Sequence, residues 1–160
     1  MHLGSSYDDA GRRIGLTYPN GTSAGWGYDA AGRAVALTTT TGGSWTATRD
    51  GAGALTGLAV PNGGQESWGY DAAGRPISTT LVSGTTTVFS QTATLDAAGQ
   101  RRALDDAWGH TAYGYDAAGR LASTLYPDGT TEADQYDAAG NRLVVTSTTP
   151  LSGTAVTQNQ

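Results

Sequence analysis

The residues in this chain best equipped for chemistry are aspartates that recur about every 21 residues. Four of them have an arginine four places on: Asp8 and Arg12, Asp29 and Arg33, Asp71 and Arg75, Asp116 and Arg120. A carboxylate beside a guanidinium can serve as an acid, a base or an ion anchor. Seven equivalent acids do not make an active site, however, and Asp followed by two small residues and Gly is the residue order of a turn. An exposed pair of this kind contributes only about 0–1 kcal/mol. The remaining candidates are sparse. His2 and His110 are too few and too far apart for a metal site. Asp8-Asp9 and Asp105-Asp106 fall short of the roughly six converging oxygens that Ca²⁺ requires, and turns account for both. The run Gly51–Gly57 resembles a dinucleotide loop, but its spacing is wrong by one and it sits at a turn position. Asn20-Gly21-Thr22 fits a glycosylation sequon and equally a turn. There is no Gly-x-Ser-x-Gly elbow and no cysteine. No catalytic, cofactor-binding or metal-binding residue is assigned, and the chain is not expected to be an enzyme.

One further chemistry is open to it. Trp26, Trp68 and Tyr113 stand two places before Tyr28, Tyr70 and Tyr115. Side chains two apart on a strand share a face, so each pair of rings lies together. Packing of a thin sheet explains such rings. The alternative is a carbohydrate-binding surface, with Trp26, Trp68 and Tyr113 as glycan-contact aromatics.

The elements that position these residues follow from a repeat. Tyr-Asp-Ala-Ala-Gly-Arg stands verbatim at 28–33, 70–75 and 115–120. Near copies start at Tyr7, Leu95 and Tyr136, and a degraded one at Arg49. A period sustained along the whole chain outranks any single-residue clue. Its defining turn residues are Tyr28, Asp29, Gly32 and Arg33; Tyr70, Asp71, Gly74 and Arg75; and Tyr115, Asp116, Gly119 and Arg120. Asp accepts a backbone N–H within the turn, and Gly takes positive φ without strain.

Midway through each period comes a second turn, as at Pro19-Asn20-Gly21, Pro61-Asn62-Gly63, Pro127-Asp128-Gly129 and Leu151-Ser152-Gly153. Stretches of about six residues rich in Thr, Val, Leu and Tyr separate the turns, which is strand length and composition. One period is therefore an antiparallel β-hairpin. The fold class is all-β: tandem hairpins of about 21 residues, some fifteen strands in an open, twisted meander. The single 25-residue step, from Tyr70 to Leu95, leaves room for a longer loop or bulge near Val82–Val88. Residues 1–160 are expected to form one array, continuing into or assembling with further repeats through its edge strands.

Composition narrows the partners. The net charge is −5, all nine basic residues are arginines, and they are spread one or two per repeat, so no basic stripe exists for nucleic acid. No apolar run approaches the roughly eighteen residues of a membrane span. With large aliphatic side chains scarce and 24 glycines, the chain can cover a thin sheet but not fill a thick core.

Tandem Tyr-Asp units closed by Gly-Arg resemble the YD repeats of RHS (rearrangement hotspot) proteins, the C components of insecticidal toxin complexes and the teneurins. The resemblance runs from Tyr7 to at least Arg142. It implies a structural scaffold, a strip of hairpins that spirals into a hollow shell, in bacteria one that encloses a toxic C-terminal segment. It also implies an extracellular or cell-surface setting, with Tyr and Asp stapling successive hairpins. Partners are then adjoining YD repeats or other copies of the chain, including in a surface filament, and surface glycans in the alternative reading. Bacterial shells also carry an aspartyl self-cleavage site near an Asp-Pro motif. No Asp-Pro pair occurs here, so that chemistry is assigned to no residue.

Overall fold

Turns punctuate the chain so often that only short strands fit between them, and the computed structural model contains strands and turns alone among its described residues, 2–150 and 155–159 (the last five through their backbone). The chain divides into two compact units, residues 1–89 and 90–160. The first holds β1 (Gly4–Tyr7), β2 (Arg13–Thr17), β3 (Ser23–Tyr28), β4 (Ala34–Thr39), β5 (Gly43–Arg49), β6 (Leu55–Ala59), β7 (Gly64–Tyr70) and β8 (Pro76–Ser83). Next comes β9 (Thr86–Leu95), which leads into the second unit. That unit continues with β10 (Arg101–Asp106), β11 (Gly109–Tyr115), β12 (Leu121–Leu125), β13 (Thr131–Tyr136), β14 (Arg142–Thr148) and β15 (Ala155–Asn159). Within each unit the sheet is a meander in which strands pair antiparallel with their neighbours along the chain. The expected fold class is what the chain adopts.

The expected longer loop in the 25-residue step is replaced by longer strands. β8 has eight residues and β9 has ten, with only Gly84-Thr85 turning between them. Thr and Val favour the extended backbone, so extra residues of this composition lengthen strands before they form a loop. The second turn expected at Leu151-Ser152-Gly153 lies outside the described residues.

The register sorts the side chains onto two unlike faces. On one face of the first unit Trp26 lies opposite Leu37, and Leu37 opposite Trp45. Ala47 and Leu58 pair on the same face farther along. The other face carries small residues: Gly27 opposite Ala36, Ala36 opposite Thr46, Thr48 opposite Gly57 and Gly57 opposite Ser67. Among the described residues no hydrophobic side chain is fully buried, and Thr124 alone, at 5% exposure, counts as buried. Stability therefore rests on strand-to-strand contact and on the turns. A shallow apolar depression of about 280 Å³ lies between Trp26, Leu37, Trp45 and Leu58.

Candidate functional site: the tyrosine–aspartate spine

Each repeat turn is built around its aspartate. At Asp29 the N–H of Gly32 donates to the Asp29 carbonyl, and the N–H of Asp29 donates to the Arg33 carbonyl, both at 2.9 Å. This is a type I turn closed by a left-handed glycine, Gly32 at φ 77°, with the register slipping by one residue beside Tyr28. The side chain completes it. Asp29 Oδ1 accepts from the N–H groups of Ala31 (3.0 Å) and Arg33 (2.9 Å), while Oδ2 accepts from Arg33 Nε at 2.7 Å. Asp71 and Asp116 repeat the arrangement, with Arg75 Nε at 2.6 Å and Arg120 Nε at 2.7 Å. Gly74 and Gly119 have φ of 75° and 80°. In all three the N–H of the following arginine, aided by its guanidinium, holds the carboxyl below the usual range. These carboxylates are structural acceptors, each already engaged at both oxygens.

The tyrosines join one repeat to the one before it. Tyr28 Oη donates to the carbonyl of Arg13 (2.9 Å), Tyr70 to Leu55 (2.8 Å), Tyr115 to Arg101 (2.9 Å) and Tyr136 to Leu121 (2.7 Å). Each acceptor lies one place beyond the end of the preceding six-residue motif. The hydroxyl thus caps a carbonyl of the adjacent hairpin while the ring packs across the junction.

The arginines close the circuit. Arg12 lies 4.8 Å from the ring centre of Tyr28, and Arg120 lies 4.5 Å from that of Tyr136. Arg120 Nη1 also donates to the carbonyl of Asp137 at 3.2 Å. One guanidinium therefore pairs with the aspartate of its own turn and covers the tyrosine of the next. Sequence reasoning placed Asp and Arg in one turn but missed this reach. The signal was available: Arg12 to Tyr28 and Arg120 to Tyr136 are the same sixteen-residue interval.

Imperfect copies keep the scaffold by substitution. In the first repeat turn of the second unit, Gln100 stands where Arg is expected, and Arg102 instead bonds Asp96 and covers Tyr115 at 5.2 Å. Gln100 Nε2 meanwhile donates to the carbonyl of Gly119 in the following turn (2.8 Å). Asn141 replaces arginine with its own Nδ2, 2.8 Å from Asp137 Oδ2. Around Asp50, where Ala54 removes the guanidinium, the backbone turn persists and Arg49 Nη1 donates to the Gly53 carbonyl at 3.1 Å.

Of the aromatics considered for glycans, Trp26 and Trp68 lie on the ring-bearing face of the first unit, and Tyr113 lies in β11 of the second. Trp26, Trp68 and Tyr113 are half-buried, and Arg13 covers the Trp26 ring at 4.7 Å. Behind them the intervening glycines face small partners: Gly27 opposite Ala36, Gly69 opposite Ser78 and Gly114 opposite Ser123. A side chain at Gly69 or Gly114 would collide with the opposing serine hydroxyl. The glycine is thus fixed by close approach of neighbouring strands.

Other polar groups converge less. His110 Nδ1 and Asp105 Oδ1 meet across β10 and β11 at 2.7 Å, both exposed. A groove of about 560 Å³ on the small-residue side, lined by Ser6, Gly15, Thr17, Ser23, Gly25 and Thr38 among others, contains no titratable side chain. No cluster of three or more potential metal ligands occurs among the described residues.

Comparison with known proteins fits this geometry. The family model described as RHS Repeat matches residues 7–44 and 92–131. No curated protein matches the chain in sequence. Among solved structures, the crystal structure of TcdB2-TccC3 aligns with 98% of this chain at 17% identity and a TM-score of 0.68. The Tc holotoxin pore of Photorhabdus luminescens does so over 98% at 17% identity and a TM-score of 0.67. A TcdB2-TccC3 structure without its hypervariable C-terminal region gives 98%, 17% and 0.67. At such identity the likeness is one of fold. The chain spans only 9–10% of the length of those solved chains. A twenty-one-residue hairpin period and aspartate-centred turns go with matches in both halves: the chain carries RHS repeats at residues 7–44 and 92–131.

Proposed function

We propose that the chain is a stretch of structural wall in a larger RHS assembly, of the kind that encloses a polypeptide cargo outside the producing cell. The observation that carries this reading is the absence of a hydrophobic core among the described residues, in a sheet whose ring-bearing face is only half covered. A thin sheet with a half-covered apolar face is poorly suited to stand alone, because that face favours further association. Its place as a small fraction of much longer Tc toxin chains supports a role by extension. The repeated side chains are committed to turns and junctions, which favours scaffold work over catalysis. The glycan alternative is weaker, since Trp26 is covered by Arg13 and the other two rings are half-buried.

The test is exposure of the ring-bearing face. At a dilution where light scattering reports a monomer, the chain should bind the dye ANS, and acrylamide should quench its tryptophans readily. A dye-silent monomer with shielded tryptophans would overturn the wall reading.

A further inference from the structure

At the repeat turns a tyrosine ends the incoming strand, as Tyr28 ends β3 and Tyr136 ends β13, and an outgoing strand opens after the turn. β5 ends instead on Arg49. The sixteen-residue interval that carries Arg12 to Tyr28 and Arg120 to Tyr136 also carries Arg33 to Arg49. A second guanidinium thus stands where those junctions hold a ring. Gly53 is where the two meet. Arg49 Nη1 donates to the Gly53 carbonyl at 3.1 Å, and a Cβ on Gly53 would collide with the guanidinium of Arg33.

Neither cation is saturated. Arg33 spends Nε on Asp29 Oδ2, and its terminal nitrogens have no acceptor among the described residues. Arg49 Nε is buried without a hydrogen-bond partner, and among the described residues Arg49 forms no ion pair. Asp50 beside it spends Oδ1 on the Ala54 N–H at 2.9 Å. A charged donor buried in this way gives up water and regains nothing. Two neighbouring guanidiniums with donors to spare are the receiving half of a carboxylate contact.

An apolar half adjoins it. Arg49 lies two places beyond Ala47 and four beyond Trp45 in β5, hence on the ring-bearing face. Ala47, and Ala34 next to Arg33, line the depression of about 280 Å³ between Trp26, Leu37, Trp45 and Leu58. A ligand that fits carries charge at one end and an apolar body at the other. β5 is already bonded to β4 on one side and β6 on the other, so it offers an extended peptide no strand edge. A peptide laid across it would leave its own N–H and C=O groups unpaired, whereas a free acid has only its carboxylate to satisfy.

We infer that Arg33 and Arg49 form a binding site for a small organic acid, whose carboxylate bridges the two guanidiniums and whose aryl or alkyl body lies in the depression beside Trp45. This goes beyond the wall reading and does not rest on it.

The experiment titrates the whole ¹⁵N-labelled chain with 4-phenylbutyrate and follows the arginine Nε–Hε resonances. The Arg49 resonance is expected to shift and saturate. The uncharged 4-phenylbutyramide should bind about tenfold more weakly, and inorganic phosphate, which lacks the apolar body, about threefold. Arg49→Tyr restores the tyrosine of the other repeats. It should weaken binding at least about tenfold at an equal or higher urea midpoint, which separates lost binding from lost folding. Arg33→Gln should weaken it about fivefold; Gln100 holds the same motif place in the Asp96 turn, which still closes. A silent Arg49 resonance, amide or phosphate binding as tightly as the acid, or indifference to either substitution would overturn the assignment. So would tighter binding of a blocked Leu-Gly-Glu peptide, which would make a polypeptide the occupant.

Discussion

The hydroxyl of Tyr70 donates to the carbonyl of Leu55 across 2.8 Å, joining the last residue of one incoming strand to the first residue of the outgoing strand beside it. Because a half-buried carbonyl left without a partner loses its compensation for water, the bond matters more than its length along the chain suggests. Tyr70→Phe keeps the ring and removes the donor. It should lower the unfolding free energy by about 1 kcal/mol, read as a shift in the urea midpoint at unchanged slope.

The turn glycines are not equivalent. Gly74 has φ of 75°, where a side chain is strained, whereas Gly51, at the place occupied by Ala30, Ala72 and Ala117 in other copies, is not among the glycines of positive φ. Gly74→Val should therefore destabilise by more than about 1 kcal/mol, while Gly51→Ala should be neutral or stabilising by about 0.4–1 kcal/mol. Thermal unfolding of the two variants side by side checks the contrast. Equal effects would sink the turn assignment.

Gly114 and Ser123 face each other in register, and the serine hydroxyl occupies the space a Cβ on Gly114 would need. Gly114→Ala alone should cost about 1–3 kcal/mol through overpacking. The exchange Gly114→Ala with Ser123→Gly should recover most of the loss. A double variant no better than the single one would show that the backbone itself, rather than the opposing side chain, demands glycine.

Acid should loosen the array in a defined direction. Asp8, Asp29, Asp71, Asp96 and Asp116 are all held below the usual carboxylate range, chiefly by the N–H four residues on, and Asp137 chiefly by the Asn141 side chain. A depressed folded value means that the unfolded chain takes up protons first. The associated stability is complete above the unfolded range of about pH 4 and is lost as pH falls through the lower folded values. Urea midpoints measured from neutral pH downward should stay flat to about pH 4 and then drop. In Asp71→Asn the drop should be shallower.

The period, the aspartate turns and the strand content were legible because each is written within a few consecutive residues. Asp29 through Arg33 form a self-contained turn, so local order suffices to read it. The junctions were not legible in the same way. Arg120 meets Tyr136 only because two hairpins lie side by side, and nothing local to either residue encodes that meeting. The exchange of Gln100 for arginine was harder still, since Arg102 restores the pairing from a position outside the motif. The loop expected near Val82–Val88 became strand because β-branched residues there extend the neighbouring arms.

The thinness of the sheet has a consequence for how such a protein can change size. A globular domain that gains residues must re-solve the packing of its interior, since volume and surface grow at different rates. Here the bonds that matter run from one hairpin to the next, as from Arg120 to Tyr136, and there is no interior among the described residues to re-solve. Duplication or loss of a whole period leaves every remaining junction as it was. Extent is thus a quantity that genetic copying can alter one hairpin at a time, with the chemistry of the joint untouched.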